Sequence, residues 1–342
     1  MATATVKSKP IKADPGLTND LAEDLERLKL SSSRIPVPKG TVKVEAKGSE
    51  DVWPTPEPPK PLKETSTKPK PKPKPKADAD ANDEAIIVDT PSGIADLVDS
   101  MANHPNTPPS FYLDLEGVNL SRHGSISILQ IYHLPLNQVY LVDVHKMGKT
   151  AFDTPGAVEG SSTLKSILED HSIQKVFFDV RNDSDALYAH FNIHLAGIQD
   201  IQLHEFVTRP GRRGRFVSGI GKCIDYDAGL SFIERTHRAA VKDKGKRLFA
   251  PELGGSYEVF NARPMHADIV RYCAQDVWVL PRLWATYDRR GMGASVMRKV
   301  KDAVRERIDV CFEIGYTVKG RERALAPVKL SGSGFVDYDE FW

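Results

Sequence analysis

The chain has 342 residues, of which 40% are apolar and 27% charged, and its formal net charge is only +1. With 24 prolines and 3 cysteines, none spaced as C-x-x-C, it is globular in composition and excludes collagen-like, disulfide-scaffold and cysteine-rich zinc classes. No run of about 18 apolar residues marks a membrane span, and the opening MATATVKSKPIKADPG lacks the apolar segment of a secretory signal. The expectation is an intracellular, reducing compartment, nucleus or cytoplasm, with no membrane partner.

Residues 1–84 read as a disordered Pro/Lys-rich region. Lys68–Lys76 is the alternating run KPKPKPKPK, in which proline removes hydrogen-bond donors and the lysines repel one another. Inside this region NDLAEDLERLKL spaces Leu21, Leu25 and Leu28 for one short helix. Structure is expected from residue 85. Strands are read at Ala85–Asp89, Phe111–Leu115, Ser125–His133, Gln138–Val144, Lys175–Val180 and near Gly197–Asp200. The second to fourth of these form an antiparallel meander. Helices are read after Ser92 as N-cap, in STLKSILEDHSI, in NDSDALYAHFNI and after Asp200. Residues 209–263 look irregular and basic, with a helix near Leu230–Ala240. HADIVRYCAQDVWVLPRLWATYDRR is a long helix that Pro281 kinks. A further amphipathic helix covers 296–314, and the chain ends in an acidic, aromatic tail. The domain reading is 1–84 disordered, 85–290 folded, and 291–342 a C-terminal helix and flexible tail. A mixed sheet with helices on both faces accommodates the elements.

Three sets of carboxylates stand out. Asp114 and Glu116 sit at i,i+2 on one apolar strand, so both side chains share a face. Two carboxylates that close repel when ionised, and a folded chain tolerates them best with cations between them; oxygen donors of this kind suit Mg2+ or Mn2+. Gly117 beside them would let a substrate backbone approach closely. Asp183 opens the helix after the strand at 175 and shares a face with Ala186 and Leu187, whereas Asp185 shares its face with Tyr188 and Ala189; Asp179, on the strand, is a rival whose direction depends on the strand's register. Tyr272 and Asp276 are four apart on the last long helix, stacked on one face that continues into Val279, Leu280 and Leu283. Four acids provide ligands for two ions, which could clamp the attacking water and the leaving oxygen of a phosphoryl displacement. Tyr272 would orient that water or help take its proton. No G-x-S-x-G, GxxxxGK[ST] or H-E-x-x-H motif is present.

In order, DLE (114–116), KVFFDVRNDSDAL (175–187) and YCAQD (272–276) resemble the three motifs of the DEDDy 3′–5′ exonucleases, of the ribonuclease D and Werner-syndrome exonuclease type. The resemblance spans residues 86–290. It implies an α/β fold, a ribonuclease H-like mixed five-stranded sheet flanked by helices. It also implies 3′–5′ hydrolysis of phosphodiester bonds with two Mg2+ or Mn2+ ions held by Asp114, Glu116, Asp183 and Asp276, with Tyr272 as the fifth catalytic residue. Leu115 departs from the small polar residue usual between the first two acids, and the long basic segment before the third motif places the chain near the fungal exonuclease-domain branch. Some members of that branch are scaffolds without the full acid set; here all four acids are present. The expected partner is RNA or DNA with a free 3′ end. Its phosphates would meet Arg209, Arg212, Arg213, Arg215 and Lys222, with a second cluster at Arg235, Arg238, Lys242, Lys244, Lys246 and Arg247. Phe216, Tyr226 and Phe249 are candidates for stacking on bases. His123 and His133 read as loop or strand-surface residues. The alternative is a catalytically inert nucleic-acid-binding scaffold.

Overall fold

Residues 85–331, apart from 103–104, 212–213, 314 and 318–319, are described by a computed structural model. The proline-rich region, its leucine-spaced segment and the acidic tail lie outside them.

The sheet has the order β1-β4-β3-β2-β5-β6. Strands β2 (Phe111–Glu116), β3 (Ile128–His133) and β4 (Gln138–Asp143) form the expected antiparallel meander. β5 (Lys175–Phe177) pairs parallel with β2, β6 (Ile198–Asp200) with β5, and β1 (Ala85–Val88) with β4. The mixed α/β architecture is as expected, but β1 is incorporated at the edge, so the sheet has six strands rather than five.

Alternation along β2 divides the molecule into two cores. Phe111, Leu113 and Leu115 point to one side. There they pack with helices α1 (Pro91–Ser100), α5 (Arg181–Phe191) and α11 (Ala294–Asp309), through residues such as Leu97, Leu187 and Val300. Tyr112 points to the other side, into a core with α7 (Ile220–Asp227), α9 (Ala267–Trp278) and α10 (Leu280–Arg290). Helix α11, read from sequence within a separate C-terminal segment, is therefore part of the main core. The intervening helices are α2 (Val144–Met147), α3 (Thr150–Asp153), α4 (Leu164–Glu169), α6 (Ile201–Thr208) and α8 (Phe232–Phe249).

Several local expectations change for identifiable reasons. Helix α1 is capped by Thr90, whose hydroxyl accepts from Gly93 N at 3.1 Å, and not by Ser92; Pro91 fits the first turn, where its missing N–H is harmless. The strand from Lys175 stops at Phe177, short of Val180. Asp179 takes φ +64°, and the N–H groups of Asp179 and Val180 donate to the Asp200 carboxylate at 2.9 and 3.2 Å. Pro281 does not kink one helix but opens a second, α10, directly after α9 ends. Residues 209–263 are more helical than expected. Ser231 and Glu234 make a reciprocal capping box that starts the 18-residue helix α8. His133 is buried rather than on a surface, beside the Phe111 ring. Cys223, Cys273 and Cys311 are free and buried. Among the described residues no helix is long and apolar enough to cross a membrane.

Candidate active site

The same alternation that sends Leu115 into the α5–α11 core directs Asp114 and Glu116 to the opposite face, towards α9. The unusual apolar residue between the acids is thus a core residue and does not reach the site. Helix α9 lies on that face by burying Cys273, Ala274 and Val277. Tyr272 and Asp276, one turn apart, then meet the strand carboxylates. Asp114, Glu116 and Asp276 each present an oxygen, and these oxygens lie within 4.8 Å of one another. The Tyr272 hydroxyl donates to Glu116. These groups line a cavity of about 170 Å³ together with Phe178, Ile220 and Lys242.

Asp183, in the first turn of α5, is near enough for its charge to raise Asp114 and Glu116, but it is outside the three-oxygen group and does not line the cavity. It is 5% exposed, and its Oδ1 is buried with no hydrogen-bond partner. Its rivals are engaged elsewhere. Asp179 binds Arg181 through Nε and Nη2 at 2.5 and 2.6 Å. Asp185 accepts from Arg122 Nε and from its backbone N, both at 2.7 Å. Asp200 accepts from Arg307 Nη1 at 2.5 Å. These pairs neutralise the surrounding acids and leave Asp183 among those without a matching cation.

The electrostatics follow from burial and crowding. Burial, then the charges of Asp183, Glu116 and Asp276, holds Asp114 well above the usual carboxylate range. Glu116 is raised well above its usual value by burial and by Asp276 and Asp183. Asp183 is pushed up to about 7, first by burial and then by Asp179. Tyr272 is raised by burial and by the negative charges of Asp276, Glu116 and Asp114, so its hydroxyl keeps its proton at neutral pH. Asp183 is buried with an oxygen that lacks a partner, and Asp114, Glu116 and Asp276 are half-buried and crowded beside it, an arrangement that protonation or bound cations would relieve. Hard oxygen donors at ion-bridging separation fit Mg2+ or Mn2+.

Two glycines permit this packing. A Cβ on Gly245 of α8 would lie 2.7–2.8 Å from three Tyr272 side-chain carbons, so α8 approaches Tyr272 only because residue 245 is glycine. Gly117 works differently from the sequence expectation. A Cβ there would meet Ser125 O at 2.0 Å, so the close approach is to the chain's own β2–β3 connection and not to a substrate.

The basic residues divide. Arg209 is fixed by Glu205, through Nε at 2.7 Å and Nη2 at 2.6 Å, so its charge is engaged inside the fold. Arg212 and Arg213 lie outside the described residues. Arg215 is exposed, and Lys222 lines a different cavity with Arg209, Tyr226 and Arg290. Phe249 packs on Tyr272 and Phe260, supporting the site rather than offering a free stacking face, whereas Phe216 and Tyr226 are exposed. The second basic cluster rides on α8. From it Arg238 Nη1 donates to Gln275 O at 2.6 Å and Nη2 to Asp276 Oδ1 at 3.1 Å. Sequence reading placed Lys242 in that cluster without linking it to the acids, and it overlooked Gly245. The signal was the i, i+4, i+7 spacing of 238, 242 and 245. It becomes visible only if the capping box at Ser231 is read as starting a helix that runs past Ala240.

A family model described as 3′–5′ exonuclease matches residues 85–288. The piRNA biogenesis protein EXD1 of Mus musculus is 33% identical over 102 residues, 30% of this chain and 16% of that protein. The Bombyx mori protein of the same name is 28% identical over 118 residues, 34% of each. This chain therefore matches only a minor part of either relative's length. Among solved structures, Trypanosoma brucei RNase D in complex with RNA U12 superposes with a TM-score of 0.56 at 20% identity, covering 74% of this chain and 80% of that one. A second structure, T. brucei RNase D with GMP, gives 0.53 at 22%, over 72% and 69%. At these identities the likeness is one of fold.

Proposed function

The chain belongs to the 3′–5′ exonuclease domain family, and on that premise we propose that it is an active two-metal-dependent 3′–5′ exonuclease. Its substrate is the 3′ end of single-stranded or frayed RNA or DNA, reached from an intracellular compartment, nucleus or cytoplasm. The observation that carries the reading is the convergence of Asp114, Glu116 and Asp276 within 4.8 Å, beside a buried Asp183 oxygen with no partner. Asp114, Glu116, Asp183 and Asp276 would hold two Mg2+ or Mn2+ ions, which would polarise the scissile phosphate and make water a competent nucleophile.

The chain's own groups do the rest. Water adds to phosphorus, the bond to the 3′ oxygen of the preceding sugar breaks, and that oxygen takes up the proton. The products are a nucleoside 5′-monophosphate and a strand one residue shorter. Tyr272 orients the attacking water through its hydroxyl or helps take its proton. Glu116 fixes that hydroxyl by accepting from it.

The test is a gel assay on 5′-labelled single-stranded RNA and DNA with Mn2+, Mg2+ or EDTA, beside an Asp114→Ala/Glu116→Ala double variant. A metal-dependent ladder shortening from the 3′ end, absent in the variant, is the expected result. Cleavage that survives the double substitution refutes the assignment. The second reading, an inert nucleic-acid-binding scaffold, is favoured by Arg238, which occupies one oxygen of Asp276. It predicts salt-sensitive binding that persists in EDTA with no product under any metal.

A further inference from the structure

Helix α8 runs across the acid cluster and presents three residues to it, one turn apart. Arg238 is engaged by Asp276 and Gln275 O. Gly245 receives the Tyr272 ring. Between them Lys242, half-buried, lines the same cavity as Asp114, Glu116, Tyr272 and Asp276.

Lys242 differs from the arginines that pair with the fold's buried and half-buried acids. Arg122, Arg181, Arg238, Arg263 and Arg307 are each bound to a carboxylate of the fold. Lys242 makes no hydrogen bond or salt bridge with any described residue, and the longer-range attraction of Asp276 across the cavity favours its charge against burial. An ammonium has three donors and no acceptor, and withdrawing one from water without partners is costly. A ligand that enters this cavity and supplies acceptors for those donors must be anionic and must also tolerate the three carboxylates that line it, Asp114, Glu116 and Asp276. A phosphodiester with cations on its other oxygens meets both conditions, because its non-bridging oxygens can be shared between metal ions and an ammonium.

We propose that Lys242 is a substrate-contacting catalytic residue, whose ammonium donates to a non-bridging oxygen of the phosphodiester at the 3′ end. The proposal rests on the exonuclease reading and adds a contact from α8 to the acids and tyrosine. The contact is to phosphate alone, so it is independent of base and holds for RNA and DNA alike. Arg238 has a different role. It positions Asp276 and, being engaged there, is not a phosphate ligand.

The test uses the full chain as wild type, Lys242→Met and Lys242→Arg, each checked for folding by thermal melt. In EDTA, where no cleavage proceeds, binding of a fluorescein-labelled single-stranded oligonucleotide is titrated over a salt series. Loss of one phosphate contact lowers the slope of log K against log salt by about 0.7 for a single strand. Lys242→Met should show that drop, and Lys242→Arg should restore it. In Mn2+, Lys242→Met should cut the rate of 3′ shortening by about 10²-fold, the scale for removing one preorganised donor, with Lys242→Arg retaining most of it.

A wild type that cleaves while Lys242→Met matches it in slope and rate overturns the proposal. So does a Lys242→Met protein that melts early in EDTA, is rescued by metal, and keeps the wild-type slope, since Lys242 would then only neutralise the carboxylates. A wild type that never cleaves refutes the exonuclease reading instead. In that case the salt slope alone decides whether Lys242 contacts phosphate: a drop in Lys242→Met supports it and an unchanged slope overturns it.

Discussion

Asp183→Asn should stabilise the metal-free protein while abolishing its response to metal. Asp183 is pushed up from 3.8 to about 7 in the fold. A carboxyl with a raised native value binds more protons folded than unfolded, so stability declines as pH rises from about 4 through 7. At 1.36 kcal/mol per unit, the full shift costs about 4 kcal/mol at pH 8. The amide avoids that cost but replaces the Leu115 hydrogen bond to the carboxylate imperfectly, so a gain of about 2–4 kcal/mol is expected. For a domain of this size it corresponds to roughly 10 °C in Tm. The assay is thermal unfolding by circular dichroism in EDTA at pH 8 and pH 5, repeated with Mn2+. The advantage should shrink to about 2 kcal/mol or less at pH 5, where the acid is largely protonated in the native state. Saturating Mn2+ should raise Tm for the wild type by an increment the variant lacks. Equal melting of the two proteins in EDTA at pH 8, or an advantage that does not change with pH, refutes the argument that these acids are strained and await cations.

Two further outcomes are expected. Gly245→Ala places a methyl 2.7 Å from the Tyr272 ring; overpacking of this kind costs about 1–3 kcal/mol, and displacing Tyr272 should slow 3′ shortening far more than it weakens oligonucleotide binding, which steady-state kinetics beside anisotropy would check. His204 is buried and held down to about 4 against its usual 6.5 by burial. The unfolded chain then takes a proton below pH 6.5 that the native state refuses until about pH 4, so stability is lost as pH falls through that window, by about 3 kcal/mol in all. Urea melts at pH 7 and pH 4.5 should show a smaller loss for His204→Gln than for the wild type; parallel losses would show that His204 does not carry the effect.

Period-2 alternation in FYLDLE is a property of any strand. It already implied that Asp114 and Glu116 share a face and that Leu115 lies on the other. Helical spacing likewise joined Tyr272 to Asp276 and separated Asp183 from Asp185. These are local rules, so a linear string carries them. Helix α8 shows where legibility ended. Its start was encoded by Ser231 and Glu234, but the basic, glycine-containing run after Ala240 carries a weak apolar stripe and reads as loop. Tertiary packing against α9, made possible at Gly245, holds it as helix.

The sequence alone thus determined the family resemblance, the meander, the sheet with helices on both faces and the grouping of each acid with its neighbours on one element. It could not say which cations were available. Arg209 and Lys242 look alike in a linear string, yet one is bound by Glu205 a turn away and the other lines the acid cavity. Nor could it show that Asp179, Asp185 and Asp200 are neutralised by Arg181, Arg122 and Arg307 while Asp183 is not, since most of these partners lie far apart in the chain. Charge pairing depends on distance in space and on burial, and both are set only when the sheet, α5, α8 and α9 have packed together.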